Sequence, residues 1–428
     1  MSRLRTLAPL LLLLVGVVAG CTGTSENVPP LLLAIGRQDP ANPAVSQMVL
    51  VEDNFPGQPR FSVLTSSERP LPYPAVASDV VDRAGTRSAM VVLTRQLVGT
   101  APASALVVFQ LSRIHPTTPT AFHETNRVQL TGGTNPVFNN SSGPWCFSHI
   151  TVSKDGRYAY LIDDPNACAS TPTTGSPGLS VPIRLFQVDM QSSTGNPTEI
   201  VQSPIQPTAP LDDQNATQET LYFLVNAVNN AQLYSVPVPF IPSQDRPSTI
   251  GTTFEGNDQL ALRSNGDELI TVTNSDPYGT PANVSSNLES LALPLGGVAA
   301  KVAAVNGART LAMDPTGFTQ SVVVAGYNQS SVYATPTDKS PAETPSYYGL
   351  TGVAAAIDPT NAFGYVLDDG RIVLLDLSAA TSSGERWYWA YPYAQDPSPP
   401  SSALQLPKDA AGRYVTALAW ARSQIPVP

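Results

Sequence analysis

Three histidines, three cysteines, three Asp-Asp pairs and one aromatic-rich stretch hold most of the chemistry this chain could perform. His149 follows Cys146-Phe147-Ser148 and opens an apolar segment, where an imidazole could accept a proton or bind a ligand. A hydrogen-bonded structural histidine is the favoured reading. His115 and His123 lie in a stretch rich in Thr, Pro, Gly and Asn and are expected to face solvent. Asp163-Asp164, Asp212-Asp213 and Asp368-Asp369 flank apolar segments, and loop carboxylates of this kind can join the about 6 to 8 oxygens that hold Ca²⁺. None has the spacing of a calcium loop, so turn capping and solubility are expected instead. The chain has no Gly-x-Ser-x-Gly elbow, phosphate loop or dinucleotide fingerprint. His123-Glu124 is followed by Thr125, Asn126 and Arg127 rather than by the second histidine of a zinc helix. No catalytic residue, metal ligand or cofactor is assigned on this basis.

The aromatic stretch is Glu385-Arg386-Trp387-Tyr388-Trp389-Ala390-Tyr391-Pro392-Tyr393. On a strand, whose side chains alternate, Trp387, Trp389, Tyr391 and Tyr393 fall on one face. Left exposed, such a face suits stacking on sugars or anchoring a protein partner. Packing against a neighbouring element is the favoured alternative, with Pro392 marking an outer edge strand.

The remaining chemistry is at the N-terminus. Arg3 and Arg5 precede an apolar run from Leu7 to Val18, broken only by Pro9 and Gly16, and small residues lead into Val18-Ala19-Gly20-Cys21. This is the anatomy of a cleavable export signal over residues 1–20. The run is shorter than the roughly 20 apolar residues a bilayer span needs. The last four residues resemble the lipobox of bacterial lipoproteins, with Val18 where that family more often has Leu. The resemblance implies lipid attachment at Cys21, cleavage before it, and more than one acyl chain for a stable hold. Residues 21–30 are then a flexible tether, and the mature protein is expected at the cell envelope, periplasmic or surface-exposed.

Composition suits an extracytoplasmic body. The chain has 42 Pro and 29 Gly among 428 residues, 42% hydrophobic and 13% charged residues, so a large core is punctuated by many turns. Losing Arg3 and Arg5 with the signal takes the formal charge from −10 to −12. A surface of that sign repels phosphate backbones, which argues against nucleic acid as a partner. With Cys21 assigned to lipid, Cys146 and Cys168 remain as an even pair. Between them Ile150-Thr151-Val152-Ser153-Lys154-Asp155-Gly156-Arg157-Tyr158-Ala159-Tyr160 reads as strand, tight turn and strand. Folding that hairpin brings its open ends together, so a disulfide between Cys146 and Cys168 is expected.

These segments must be positioned by something repetitive. Asp82-Arg83-Ala84-Gly85, Asp314-Pro315-Thr316-Gly317 and Asp358-Pro359-Thr360-Asn361 are type I turn sequences, Ser153-Lys154-Asp155-Gly156 and Arg263-Ser264-Asn265-Gly266 are looser versions, and Asp212-Asp213-Gln214-Asn215 is the weakest. Starting at 82, 153, 212, 263, 314 and 358, they step by 71, 59, 51, 51 and 44 residues. A period approaching 40 to 50 residues with several strands per unit is that of a propeller blade. Loop-like insertions over about 115–144 and 164–182 account for the longer steps.

An apolar second strand follows each turn, within 88–93, 158–162, 221–225, 268–272, 321–325 and 363–367. A third follows within 105–111, 183–188, 232–237, 288–293, 331–334 and 371–377. No helical period appears beyond the signal, so the body is all-β. Segments 31–35, 48–52 and 60–64 resemble second, third and fourth strands without a first, and 414–420 a first strand without successors. Their pairing would complete a seventh unit and remove exposed edges.

The repeat around Ile150 to Tyr160, followed by 183–189, resembles those of bacterial YVTN and lactonase-like seven-bladed propellers. It implies one β-propeller domain over residues 31–422, of seven four-stranded blades closed by pairing of the N- and C-terminal strands, with a C-terminal tail over 423–428. Two functions are compatible with it: a binding or scaffold lipoprotein presenting loops 113–147 and 164–182 to an envelope protein or glycan, and a lactonase-like hydrolase working in the central channel. The first is favoured, because catalytic signatures are missing.

Overall fold

A computed structural model describes the strands given below and the segments 72–74, 111, 114, 119–123, 145–146, 153–157, 164, 183, 190–192, 196–197, 218–219 and 238–247. Cys21, Cys168, His115, Asp369 and Tyr393 lie outside the described residues, as do the signal, the tether and the tail.

Strands β1 (Leu31–Gln38), β2 (Ser46–Asp53) and β3 (Phe61–Leu71) begin the first sheet. The second holds β4 (Ala75–Arg83), β5 (Thr86–Gln96), β6 (Ala103–Gln110) and β7 (Glu124–Leu130). The third holds β8 (Phe147–Val152), β9 (Tyr158–Asp163) and β10 (Arg184–Asp189); the chain then lends β11 (Thr194–Gly195) to the second sheet and returns as β12 (Thr198–Val201). A fourth is made of β13 (Pro207–Asp213), β14 (Thr220–Asn226), β15 (Ala231–Pro237) and β16 (Ser248–Phe254). A fifth has β17 (Asn257–Leu262), β18 (Glu268–Asn274), β19 (Ser285–Ala292) and β20 (Ala300–Asn306). The sixth comprises β21 (Ala308–Met313), β22 (Val322–Gly326), β23 (Ser330–Tyr333) and β24 (Ser346–Tyr348). In the seventh, β25 (Ala354–Ile357), β26 (Phe363–Asp368), β27 (Arg371–Asp376) and β28 (Trp387–Tyr391) follow in order.

Finally β29 (Leu418–Arg422) pairs antiparallel with β1, in a register running from Leu31 opposite Arg422 to Ile35 opposite Leu418. The strand at one end of each sheet packs on its counterpart next door, in the order β29, β4, β8, β13, β17, β21, β25, and β25 packs on β29. Apart from one short 3₁₀ turn at Pro119–Ala121, the regular structure among the described residues is all β.

Why the second strands read as unbroken apolar runs is now visible: both their faces are covered. On β5, Met90 and Val92 join a cluster with Leu32 and Leu50 of the first sheet, while Val91 and Leu93 join one with Phe147 and Phe186 of the third. The third sheet meets the fourth through Tyr160, Ile162, Leu221 and Phe223, and the fifth meets the sixth through Ile270, Val272, Val322 and Val324. Burying each Val or Leu side chain on such a face contributes about 1.5–3 kcal/mol before chain entropy is counted. Polar ties add direction: Gln187 donates to the Phe240 carbonyl at 3.2 Å and accepts from its N–H at 2.8 Å, fixing the third sheet against the fourth.

The segment 115–144 is not loop throughout. It contains the 3₁₀ turn and all of β7, whose Thr125, Asn126 and Arg127 are exposed and whose Val128 and Leu130 turn inward. Phe122 from the same segment stacks on Phe109 with centroids 5.0 Å apart. Backbone pairing with β6 makes this a strand despite its polarity.

Candidate functional site

His149 lies on β8, the end strand that packs between β4 and β13. In an extended strand Ser148 and His149 would point to opposite faces. The register between β8 and β9 slips here, with Phe147 opposite Asp163 and His149 opposite Ile162, so Ser148 is an extra residue in a bulge. The bulge re-aims the two side chains, and Ser148 Oγ lies 2.8 Å from His149 Nδ1. Both residues are only part-buried. Burial pulls the imidazole below its ordinary value, Asp164 opposes that pull and Arg95 adds to it. At neutral pH the ring is therefore uncharged and able to take a proton.

The groups around this pair are fixed by their own bonds. Arg95 on β5 donates to the Phe147 carbonyl at 2.6 Å. Cys146 donates its N–H to Asp163 Oδ1 at 2.7 Å, and the N–H of Asp164 donates back to the Cys146 carbonyl at 3.1 Å. Arg184 on β10 donates to Asp163 Oδ2 at 2.6 Å and lies over the rings of Trp145 and Phe186 at 5.3 and 5.2 Å. Burial raises the Asp163 carboxyl while Arg184 and the Cys146 N–H hold it down. Asp163 is fully buried, so it is an internal tie and not the turn cap its sequence suggests.

A second polar cluster joins three sheets. The Thr151 hydroxyl donates to Asp79 Oδ2 on β4 at 3.0 Å and accepts from the Asp212 N–H on β13 at 3.0 Å. Asp79 Oδ2 also takes the Val152 N–H at 2.8 Å. Both Asp212 carboxyl oxygens are buried, beside the Glu219 carboxyl. Burial, then a hydrogen bond shared with the Glu219 carboxyl, and then the charges of Glu219, Asp79 and Asp213 push Asp212 up to about 10. Tyr160, whose hydroxyl is likewise buried, is also raised, first by burial and then by Asp212 and Glu219. No group of three His, Cys, Asp or Glu among the described residues is arranged to hold a metal ion.

No known family model matches the chain, nor does any curated protein. Solved structures do resemble it. A functionally unknown protein from Desulfotomaculum acetoxidans superposes with a TM-score of 0.52 at 10% identity, over 91% of this chain and 99% of that one. A protein from Lactobacillus plantarum does so with a TM-score of 0.51 at 10% identity, over the same shares, 91% and 99%. The likeness is one of β-propeller-like fold. At that identity it carries no function.

The other candidate residues are distributed over this propeller-like frame. His123 is exposed, its Nδ1 lying 2.8 Å from the Ala121 carbonyl, and it is remote in sequence from the His149 strand. Asp212 and Asp213 are buried at the end of β13, where solubility gains nothing from them. Trp387, Trp389 and Tyr391 fall on β28, the last strand of its sheet. The register slips there: Trp389 is opposite Leu374 and Trp387 opposite Leu375. Cys146 is buried at the entry to β8. Sequence reading missed Ser148, Arg95 and Asp79. The Asp79 and Arg95 partners are distant in the chain, and the Ser148 contact needs a bulge that no local residue pattern announces.

Proposed function

We propose that this chain is an exported lipoprotein whose body is a seven-bladed propeller of four-stranded blades, closed by β29 beside β1, which binds a protein or glycan at the bacterial envelope. The observation that carries it is the pairing of Leu31–Ile35 with Leu418–Arg422. Chain start and chain end share one sheet, so the body hangs as a unit from the tether that follows Cys21. The parts of segments 113–147 and 164–182 that lie outside the 3₁₀ turn, β7 and β8 supply the binding loops.

Metabolic labelling with an alkyne fatty acid tests the anchor. Label on the wild type and none on Cys21→Ser supports it, whereas an unlabelled wild type or an intact leader by mass spectrometry removes it. Crosslinking in intact cells, followed by capture, is expected to return the same envelope component repeatedly; repeated capture of none counts against the binding role. The disulfide belongs to the same reading. Asp164 is hydrogen-bonded to the Cys146 carbonyl, and Cys168 follows four positions later. Non-reducing peptide mapping should find Cys146 joined to Cys168, a closure of this loop size worth about 3 kcal/mol.

One observation favours the second reading, a hydrolase at the propeller's inner strands: the Ser148 hydroxyl rests on the His149 imidazole, with Asp164 and Arg95 close enough to influence its charge.

A further inference from the structure

We propose that Ser148 is a nucleophile and His149 its general base, together forming an acyl-transfer site for neutral carboxylic esters on the inner strand of the third blade. This rests on the hydrolase reading and names the residues that would perform it.

Three features of the molecule converge on this pair. The first is distance: Ser148 Oγ and His149 Nδ1 are 2.8 Å apart, within the reach a nucleophile and its base require. In the tautomer with its proton on Nε2, His149 Nδ1 accepts from the serine hydroxyl. The second is the bulge, which spends a residue of ladder pairing to bring two adjacent side chains together. Bulges are over-represented beside active sites because they re-aim side chains in this manner. The third is surroundings: both residues are part-buried, the Arg95 guanidinium is buried and held by the Phe147 carbonyl, and Asp164 is buried with its backbone tied to Cys146. Fixed charges that need no rearrangement are what a developing oxyanion and imidazolium require. A neutral ester is indicated because the chain carries a formal net charge of −10 and Asp163 and Asp164 adjoin the site, which disfavours anionic substrates.

The chemistry balances without a further reagent. Ser148 Oγ bonds to the ester carbonyl carbon as its proton passes to His149 Nδ1. The carbon–alkoxide bond then breaks and the leaving alcohol takes that proton. Water adds to the acyl-serine, gives a proton to Nδ1, and the Oγ–acyl bond breaks as Oγ recovers it. One ester and one water become one acid and one alcohol.

The test is labelling of the full-length protein, in detergent, with a fluorophosphonate probe, which bonds phosphorus to an activated serine and expels fluoride. The expected result is a single adduct mapped by peptide mass spectrometry to Ser148, absent from Ser148→Ala and formed about a hundredfold more slowly in His149→Gln. Its rate should rise with pH along one titration lying below the ordinary histidine value. No adduct on Ser148 of the folded wild type overturns the proposal, as does an adduct whose rate ignores both His149→Gln and pH; the wild-type map decides even if a variant fails to fold. Turnover of p-nitrophenyl acetate separates the two levels. Turnover without a Ser148 adduct leaves a hydrolase that works by other residues, and neither signal removes the hydrolase reading as well.

Discussion

The Thr151 hydroxyl donates to the Asp79 carboxylate across the boundary between the second and third blades, and the same oxygen receives the Asp212 N–H of the fourth. One hydroxyl thus ties three consecutive blades at their inner strands. Replacing it by a methyl in Thr151→Val keeps the shape but strands the Asp212 N–H and removes a donor from Asp79. Such unmet polar groups cost about 1–3 kcal/mol each. Urea unfolding should place Thr151→Val well below the wild type and Thr151→Ser close to it; equal midpoints for Val and wild type would show the tie to be idle.

Asp212 makes stability depend on pH. Its folded carboxyl is raised above the unfolded value, so between about pH 4 and its folded value near 10 the native state holds a proton that the unfolded chain has lost. This group's contribution therefore declines as pH rises through that window, by up to about 1.4 kcal/mol per pH unit for one proton. Asp212→Asn supplies a neutral side chain of the same shape. Denaturant titrations at pH 5 and pH 9 should show a smaller alkaline loss for Asp212→Asn than for the wild type, and parallel losses would refute the assignment.

Arg184 and Asp163 form a buried pair at 2.6 Å, with the aspartate side chain fully covered. Removing one partner leaves the other's charge inside the protein, which costs about 3–5 kcal/mol. Arg184→Leu is expected to lower the thermal midpoint sharply, and the double variant with Asp163→Asn should recover part of that loss. A double variant worse than the single would contradict this account.

Gly195 marks a close approach. A Cβ there would stand 2.5 Å from Val128 Cγ1 and 3.2 Å from Leu130 Cδ2 and Val188 Cγ1. These atoms belong to short, branched side chains already packed in the second and third blades, so Gly195→Ala overpacks the contact at about 1–3 kcal/mol. It should also loosen β11 from β7. Hydrogen exchange that speeds up at Thr194 to Thr198 while the β5–β6 amides stay protected would show it, and unchanged exchange would count against it.

Some of this architecture was legible beforehand. Each of the six marked turns falls between the first and second strands of a sheet, and the apolar runs after them are the second strands. Local chemistry suffices there: Gly156 takes φ 69° in the turn after Ser153, and residues such as Met90 to Leu93 must be apolar because neighbouring blades cover both faces. The outer strands were harder. Glu124–Leu130 reads as loop because solvent covers much of it, and its strand character comes from hydrogen bonds to β6, which are blind to side-chain polarity.

By itself the sequence determined an all-β chain of repeated hairpins, with an apolar second strand after each marked turn. Those properties follow from composition and period-two patterning, which act over a few neighbouring residues. Only the tertiary structure decided that Ser148 meets His149, that Asp163 is an internal counterion, that Asp212 is buried among carboxyls, and that β11 crosses to the neighbouring blade. Each depends on a register slip or on a partner tens of residues away, and a contact of that kind exists only once the sheets have packed.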